Sequence, residues 1–338
     1  MIFSSDFGID LGSDTIKIYD RSKDTFYSEK NLLVVGKHND VLAIGREARE
    51  MIGSLPRSAS VKVPVTAGKI NDVILLDTIL QPVLLKNHRF LGIKPSLFFS
   101  VPTDMTEIER RAYISISKRG RLTNSTVSLV EKAYVDAFAL GVPVSAVKGV
   151  MIINAGASVV NASVISNGRI ILERAIPCAG NAFTDNIMAS VRRRNGLSIG
   201  RITAEELKHT LSDLTYSGYE GVSVAGMDTN TGLPRDGYIT SDTIRVAVRE
   251  KAADLALELE EMIHRIPPQV LEQVKTEGVY LTGGTARIKG LADFLSDRIK
   301  IPVILSELYE ASTVFGLKEM MNSPVLKKHA KTIQAIKK

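Results

Sequence analysis

The sequence predicts an α/β protein built from two similar lobes. The chain of 338 residues is long enough for two domains. Apolar residues make up 44% of it and charged residues 24%, the balance of an ordinary globular protein. The two halves repeat one order of elements, a β-meander with a turn of small or polar residues followed by strand–helix pairs. We therefore expect two α/β lobes with a cleft between them.

The overall composition argues against several other classes of protein. A net charge of +6 is modest and unevenly placed, so nucleic acid is not an expected partner. The single cysteine, Cys178, excludes an internal disulfide framework and is typical of a reducing cytosol. No apolar run reaches the roughly 18 residues that a membrane span needs, and the first residues lack the basic segment of a secretory signal.

The elements of the first half follow from local signals. Residues 7–20 are predicted as two strands joined by a polar turn. Asn71 or Asp72 is suited to cap a helix whose apolar residues then recur at helical spacing. Residues 96–102 have the apolar pattern of a buried strand, and a capped helix and a further strand–helix pair follow them.

The second half begins a new cycle near Gly149. It opens with a β-meander that turns at Asn167–Gly168. The predicted elements after it are helices at 181–194 and 203–211, a Gly- and Asp-rich hairpin at 218–238, a long helix at 241–266, and a strand, glycine turn and helix from 278 onward.

The turn after the first strand has the composition of a phosphate-binding loop. Asp10, at the end of a buried strand, can orient the water shell of Mg²⁺. Gly12 and Ser13 offer backbone N–H groups to phosphate oxygens, and Ser13 and Thr15 offer hydroxyls, with Asp14 between them. The alternative is an ordinary hairpin turn, in which Gly, Ser and Asp are common.

Two further turns are candidates for the same role. The second follows a buried strand and consists of Asn154, Gly156, Ala157, Ser158, Val159 and Val160. Its first residues are small, but the two valines stand where hydroxyls are expected. The valines have an alternative explanation as simple strand residues. In the third turn, Gly283, Gly284 and Thr285 lie between a strand and a helix whose N-terminus attracts anions, although a plain strand–helix connection also uses glycine. Rossmann and P-loop motifs are absent.

In this order and spacing, the three turns resemble those of the actin-like ATPase superfamily, and the chain is most similar to the MreB family of bacterial rod-shape-determining actins. The matching segments span nearly the whole chain: "GIDLGSDT", "AIGREAREMIGSLPRSASVKVPVTAGKINDV", "SVPTDMTEIERRA", "ASVISNGRI", "VRRRNGLSIGRITAEELKHTL" and "GVYLTGGTA". The resemblance implies an actin-like, duplicated ribonuclease-H-like fold with two lobes of two subdomains around a nucleotide cleft. The implied bounds are 1–32, 78–144 and 315–338 for subdomain IA, 33–77 for IB, 145–183 and 255–314 for IIA, and 184–254 for IIB.

The chain departs from the family where the chemistry lies. The family has an aspartate at the position of Asn154 and threonines at those of Val159 and Val160, and Lys132 takes the place of the catalytic glutamate. An amide cannot offset the charge of Mg²⁺, and valine cannot position a water. Lys132 could instead hold the γ-phosphate as a cation. We therefore expect that no catalytic group is intact. We expect ATP or ADP with Mg²⁺ to bind weakly or not at all, and Asp10 to hold any bound metal through a water molecule.

The adenosine end of the implied site is better preserved. Glu205 and Lys208 lie three residues apart, on one face of a predicted helix. In the family this helix contacts the ribose and base. The alternative for this chain is an ordinary solvated pair of charges.

Two segments are candidates for membrane contact. Phe90 and Leu91 lie in a basic loop that matches part of the membrane-facing surface of the family, or else they cap the core locally. Residues 323–338 are predicted as a short basic amphipathic helix carrying Lys327, Lys328 and Lys331. The alternative is a solvated chain end.

The resemblance, together with these two segments, implies a membrane-associated cytoskeletal filament. We expect copies of the chain to assemble at the inner face of the cytoplasmic membrane, in cell shape or wall synthesis, with weak or no ATP hydrolysis. Other bacterial actins or wall-synthesis membrane proteins are the further expected partners. The alternatives are an active ATPase filament with turnover and a non-polymerising actin-fold adaptor or chaperone-like module.

Overall fold

The computed structural model describes residues 6–56, 58–85, 94–216 and 218–333. The chain divides into two compact units. Unit 1 comprises Met1–Pro143 and Ala311–Lys338, and unit 2 comprises Val144–Glu310. The four subdomain boundaries proposed from the sequence remain a prediction.

Unit 1 contains a six-stranded mixed sheet, two small sheets and five helices among its described residues. Its strands are β1 (Asp6–Leu11), β2 (Thr15–Asp20), β3 (Thr25–Lys30), β4 (Leu33–Val35), β5 (Val41–Ile44), β6 (Ser60–Lys62), β7 (Val65–Thr66), β8 (Lys69–Ile70), β9 (Ser96–Val101), β10 (Thr126–Glu131) and β19 (Lys331–Ile333). Its helices are α1 (Gly45–Met51), α2 (Val73–Leu85), α3 (Glu107–Ile116), α4 (Lys132–Ala139) and α10 (Ser312–Asn322).

The large sheet of unit 1 has the strand order β19-β10-β9-β1-β2-β3. Strands β1, β2 and β3 form an antiparallel meander, and β9 and β10 continue the sheet in parallel from β1. Every residue of β1 is buried, as expected for a central strand covered on both faces. The carboxyl ends of β1, β9 and β10 therefore meet at one edge of the sheet.

Local signals explain where the helices of unit 1 begin. Asp72 caps α2 as the sequence predicts, because its Oδ1 accepts hydrogen bonds from the N–H groups of Ile74 and Leu75. At α3, Thr106 and Glu109 form a reciprocal capping box. The apolar residues of α2 then pack on the meander, in one core with Phe7, Ile9 and Leu11.

Unit 2 repeats the architecture on a five-stranded sheet of order β13-β12-β11-β17-β18. Its strands are β11 (Val150–Ala155), β12 (Val160–Ser166), β13 (Arg169–Ile176), β14 (Leu197–Ser198), β15 (Gly221–Asp228), β16 (Pro234–Thr240), β17 (Val279–Thr282) and β18 (Val303–Leu305). Its helices are α5 (Gly180–Asn195), α6 (Arg201–Leu211), α7 (Ser241–Ile263), α8 (Pro268–Glu277) and α9 (Leu291–Ile299). Strands β15 and β16 form the predicted hairpin and pair with β14 in a separate sheet.

The two large sheets share one topology. In each, an antiparallel meander of three strands is extended by parallel strands next to its first strand. Parallel pairing requires crossover connections, which here include helices. This arrangement confirms the α/β class and the repeat of elements seen in the sequence.

The predicted C-terminal helix is wrong in the part of the tail that the structure describes. Residues 326–329 form a single 3₁₀ turn, and β19 then pairs antiparallel with β10. The hydroxyls of Thr332 and Ser128 are 3.0 Å apart, and Lys331 Nζ lies 3.1 Å from Glu131 Oε1. The exposed edge of β10 offers backbone partners that a short, lysine-rich helix would lack, so the chain extends along the sheet.

The lysines proposed for membrane contact have different surroundings in the described tail. Lys327 lies 5.0 Å from the ring of Phe98, Lys328 is exposed, and Lys331 pairs with Glu131. Phe90 and Leu91 lie outside the described residues. No helix of the described chain is both long and apolar enough to cross a membrane.

The C-terminal segment (residues 323–333) is expected to loosen in acid through His329. Its ring centroid lies 4.5 Å from that of Tyr134 and 5.4 Å from that of Phe138. Burial lowers the pKa of His329 below its ordinary value of 6.5, although the charge of Glu131 raises it. The neutral ring therefore stabilises the folded segment above about pH 6.5, and this contribution is lost as pH falls through the lowered pKa.

Amide hydrogen exchange in β19 measures this effect. Between about pH 7.5 and pH 5.5, corrected for intrinsic exchange rates, protection should fall in the wild type and stay constant in a His329→Phe variant. Equal behaviour of the two proteins would contradict the assignment to His329.

Candidate functional site

An ion pair lies at the carboxyl end of the large sheet of unit 1. Asp10 is the penultimate residue of β1, and Lys132 is the first residue of α4, directly after β10. Lys132 Nζ donates a hydrogen bond of 3.1 Å to Asp10 Oδ1. Lys17 pairs with Asp10 across β1 and β2, and its Nζ lies 3.9 Å from Oδ2. Both carboxylate oxygens of Asp10 therefore face an ammonium group.

Lys132 remains charged in this position. Burial is the largest influence and lowers its pKa, but the carboxylates of Asp10 and Asp136 together raise the pKa above its ordinary value. Asp136 is in turn held by Thr313, whose hydroxyl donates a hydrogen bond of 2.7 Å to Asp136 Oδ1. The sequence alone suggested a phosphate as the partner of Lys132; the structure shows a contact with Asp10.

The turn from Gly12 to Thr15 is tightly held. A Cβ at position 12 would lie 2.4 Å from the carbonyl oxygen of Thr15, so this close approach needs glycine. Ser13 Oγ accepts from the Ala67 N–H at 2.8 Å, and Thr15 Oγ1 donates to Asp14 Oδ2 at 2.7 Å. Burial raises the pKa of Asp14, but the nearby Lys30 outweighs it and the net shift is downward. Ser13 Oγ thus has a partner outside the turn and Thr15 Oγ1 has one within it.

The residues around Asp10 do not fit a divalent cation. Mg²⁺ prefers carboxylate and water oxygens, but two ammonium groups face the oxygens of Asp10. Among the described residues, no three His, Cys, Asp or Glu side chains form a cluster that could hold a metal ion. Asp10 as a magnesium ligand stays a prediction that this geometry does not favour.

In unit 2, the second predicted loop connects β11 to β12 as a closed turn. The N–H of Gly156 donates to the carbonyl of Val159 at 3.1 Å. The carbonyl of Gly156 accepts from the Gly180 N–H at 3.1 Å and from Thr285 Oγ1 at 2.7 Å. The loop is thereby tied both to the start of α5 and to the third predicted turn.

The first residues of α5 extend this network. The N–H of Asn181 donates to the carbonyl of Ala157 at 2.7 Å, and its amide lies 3.2 Å from Ser158 Oγ. Lys208 Nζ donates to the carbonyl of Gly180 at 3.1 Å and to Thr184 Oγ1 at 2.8 Å. The structure therefore brings together the second loop, Lys208 and Thr285.

The other predicted residues of unit 2 have mixed surroundings. Glu205 lies 3.6 Å from Arg201, its neighbour one turn earlier on α6. Val160 is fully buried in the core, as expected of a strand residue, whereas Val159 is half-buried in the turn. Asn154 is buried near the end of β11, and its register partners in the sheet are Asn161 on β12 and Thr282 on β17.

Gly283 is required by the backbone of the third turn. Its φ is +93°, and a Cβ there would lie 2.4 Å from the carbonyl oxygen of Ala155. At Gly284 an added Cβ would make only an ordinary contact, 3.6 Å from the Glu310 Cβ. The neighbouring glycines therefore form a matched pair for mutation.

We expect Gly283→Ala to lower the unfolding free energy by about 2 kcal/mol or more, through backbone strain and the clash with β11. Gly284→Ala should change it by no more than about 0.5 kcal/mol. Urea unfolding followed by circular dichroism measures both values. Similar losses in the two variants would mean that the positive φ of Gly283 is not what the turn requires.

The structure shows two sets of contacts at the predicted turns that the sequence analysis did not predict. Lys17 faces Asp10 because a hairpin that turns at Gly12–Thr15 pairs those two positions, so counting the register would have found it. Gly180 and Asn181 close the second loop, but no short motif marks them, because they follow it by more than twenty residues. Their role depends on where α5 packs.

Comparison with solved structures defines the class of fold. A crystal structure of MreB5 of Spiroplasma citri bound to ADP superposes with a TM-score of 0.89 at 24% identity, over 96% of this chain and 98% of that one. A MamK double helical filament gives 0.76 at 15% identity, over 94% and 99% of the two chains. The two α/β units thus have the actin-like fold, which confirms the predicted class.

The sequence comparisons identify the family. The profile of the family described as "MreB/Mbl protein" matches residues 4–329. The cell shape-determining protein Mbl of Bacillus subtilis (strain 168) is 30% identical over 309 residues, 90% of this chain and 92% of that protein. The cell shape-determining protein MreB of Escherichia coli (strain K12) is 29% identical over 315 residues, 90% of each. This chain belongs to the MreB/Mbl family.

Proposed function

We propose that this chain is a cytoskeletal actin-like protein that binds adenine nucleotide, assembles with copies of itself and serves in cell shape or wall synthesis. The family match over residues 4–329 carries this proposal. The related MreB5 was solved with ADP and with AMPPNP, and MamK as a double helical filament. We place the protein in the cytoplasm, at the inner face of the membrane, with other bacterial actins or wall-synthesis membrane proteins as further partners.

We propose that this filament protein hydrolyses ATP slowly or not at all. The Lys132–Asp10 ion pair supports this, because an ammonium replaces a group that could accept a proton from the attacking water. The half-buried Val159 has no hydroxyl with which to orient that water. Glu205, Lys208 and the glycine turn at 283–285 remain candidates for contacts to the adenosine.

Assembly is tested by sedimentation and negative-stain microscopy of the purified chain, with ADP, with ATP, with AMPPNP and without nucleotide. We expect filaments to form with any of the three nucleotides. Those formed with ATP should persist. Phosphate release is followed in the same samples.

The alternatives predict different results. A turnover ATPase would form filaments with ATP that disassemble as phosphate is released. A non-polymerising adaptor would bind nucleotide and stay soluble in every sample, and this outcome would contradict the filament proposal.

Membrane association is a separate part of the proposal. The exposed Lys328 and the lysines after residue 333 are suited to an anionic lipid surface. A chain that ends at Ile333 and carries Lys328→Gln keeps β19 but lacks these charges. Less of this variant than of the wild type should float with anionic vesicles, and the amount that floats with neutral vesicles should be unchanged. Salt at about 500 mM should have the same effect on the wild type. A Phe90→Ser, Leu91→Ser variant tests the loop, whose contribution should survive salt.

A further inference from the structure

Unit 1 holds its own cation beside the strand end at which the sequence predicts a metal. The ammonium of Lys132 lies 3.1 Å from Asp10 Oδ1, and that of Lys17 lies 3.9 Å from Oδ2. With Asp136 included, two carboxylates and two ammonium groups form a cluster of zero formal charge. Such a cluster has no excess negative charge to attract Mg²⁺.

Lys132 has donor capacity left for a ligand. An ammonium group carries three N–H donors, and the described structure shows one hydrogen bond from it, to Asp10. The side chain is 18% exposed and so is not sealed from solvent. Asp10 fixes the position of the charge and leaves part of it available.

A second polar group beside this pair has no partner. Ser100 on β9 is the register neighbour of Asp10 and is 5% exposed. Within the described chain its Oγ makes no hydrogen bond. A buried hydroxyl without a partner costs free energy unless a ligand or water satisfies it. Because Ser100 Oγ is closed to solvent, any contact with a ligand at this strand edge falls to Lys132.

We propose that Lys132, held by Asp10, binds the phosphate groups of an adenine nucleotide directly, and that the nucleotide therefore binds this chain without a divalent cation. The inference rests on the nucleotide binding proposed above. An ammonium fixed by a buried carboxylate offers the polyphosphate N–H donors at the place where a bound metal would otherwise face it.

Calorimetric titration of the full chain with ADP, in Mg²⁺ and in EDTA, tests the inference. The wild-type Kd should differ by less than about threefold between the two conditions. In Lys132→Met we expect the affinity in EDTA to fall at least tenfold, about 1.4 kcal/mol. Lys132→Arg keeps the charge and should retain metal-free binding. Lys318→Met removes an ammonium paired with Asp24, beyond the far end of β2, and should behave like the wild type.

The possible failures are distinguishable. A wild-type protein that loses tenfold or more in EDTA overturns the metal-free mode and leaves nucleotide binding intact. Unchanged metal-free binding in a folded Lys132→Met variant overturns the role of Lys132. Should that variant be unfolded, Lys132→Gln carries the comparison. Absence of ADP binding in either condition overturns both this inference and the proposed function.

Discussion

Phosphate release by the wild-type protein is expected to stay below about one per chain per minute, at the slow end of enzyme turnover. The triple change Lys132→Glu, Asn154→Asp and Val159→Thr should raise it at least tenfold in Mg²⁺, which is about 1.4 kcal/mol of activation free energy. The three substitutions restore the residue types of the family pattern, in which we expect one carboxylate to act on the water, another to face the metal and a hydroxyl to lie at the turn. A coupled phosphate assay with ATP measures the rates.

A matched triple variant controls for the change in charge. Lys148→Glu, Asn230→Asp and Val222→Thr make the same substitutions at exposed positions of unit 2 and should leave the rate unchanged. The Lys132→Glu change also places a carboxylate beside Asp10, so the active triple variant should be stabilised by Mg²⁺ where the wild type is not. Fast release by the wild type, or no increase in the triple variant, would mean that the replaced groups do not limit hydrolysis.

The second large effect concerns stability. Lys132→Met should lower the unfolding free energy by about 2 to 3 kcal/mol, because it leaves the buried Asp10 carboxylate with only the more distant Lys17 as a counter-charge. Urea unfolding at neutral pH measures the loss. Removing both charges with Asp10→Asn and Lys132→Met should cost less than the two single changes added together.

That double-mutant cycle isolates the contribution of the pair. Lys275→Met, at the exposed pair with Glu272, is the control and should cost no more than about 1 kcal/mol. Strictly additive losses at Asp10 and Lys132 would show that the two side chains do not interact in solution.

The fold class and the family follow from the sequence for a physical reason. The meanders and strand–helix units arise from apolar periodicity, turn residues and caps, which act over a few neighbouring positions. The Asp72 cap of α2 and the hairpin β15–β16 are of this kind. The replacements predicted at Lys132, Asn154 and Val159 also come from sequence, because these residues interrupt the motifs on which the resemblance to the family rests.

The tail shows where local reasoning fails. Residues 323–338 have the composition of a basic amphipathic helix, but the free edge of β10 pairs with residues 331–333 instead. Because β10 lies about two hundred residues earlier in the chain, no pattern within the tail reveals that edge. A short helix is only marginally stable by itself, so pairing with the edge of β10 decides that these residues form a strand.

The sequence by itself determined that this is an α/β chain of the actin-like class, and it predicts that the groups expected to catalyse hydrolysis have been replaced. Only the tertiary structure decided what the replacements contact. Asp10 and Lys132 are 122 positions apart and meet because parallel pairing of β1, β9 and β10 places their carboxyl ends at one edge. Lys208 reaches the start of α5 for a similar reason, since packing of α6 on α5 sets that contact. Partners of this kind depend on strand register and helix packing, which no single segment encodes.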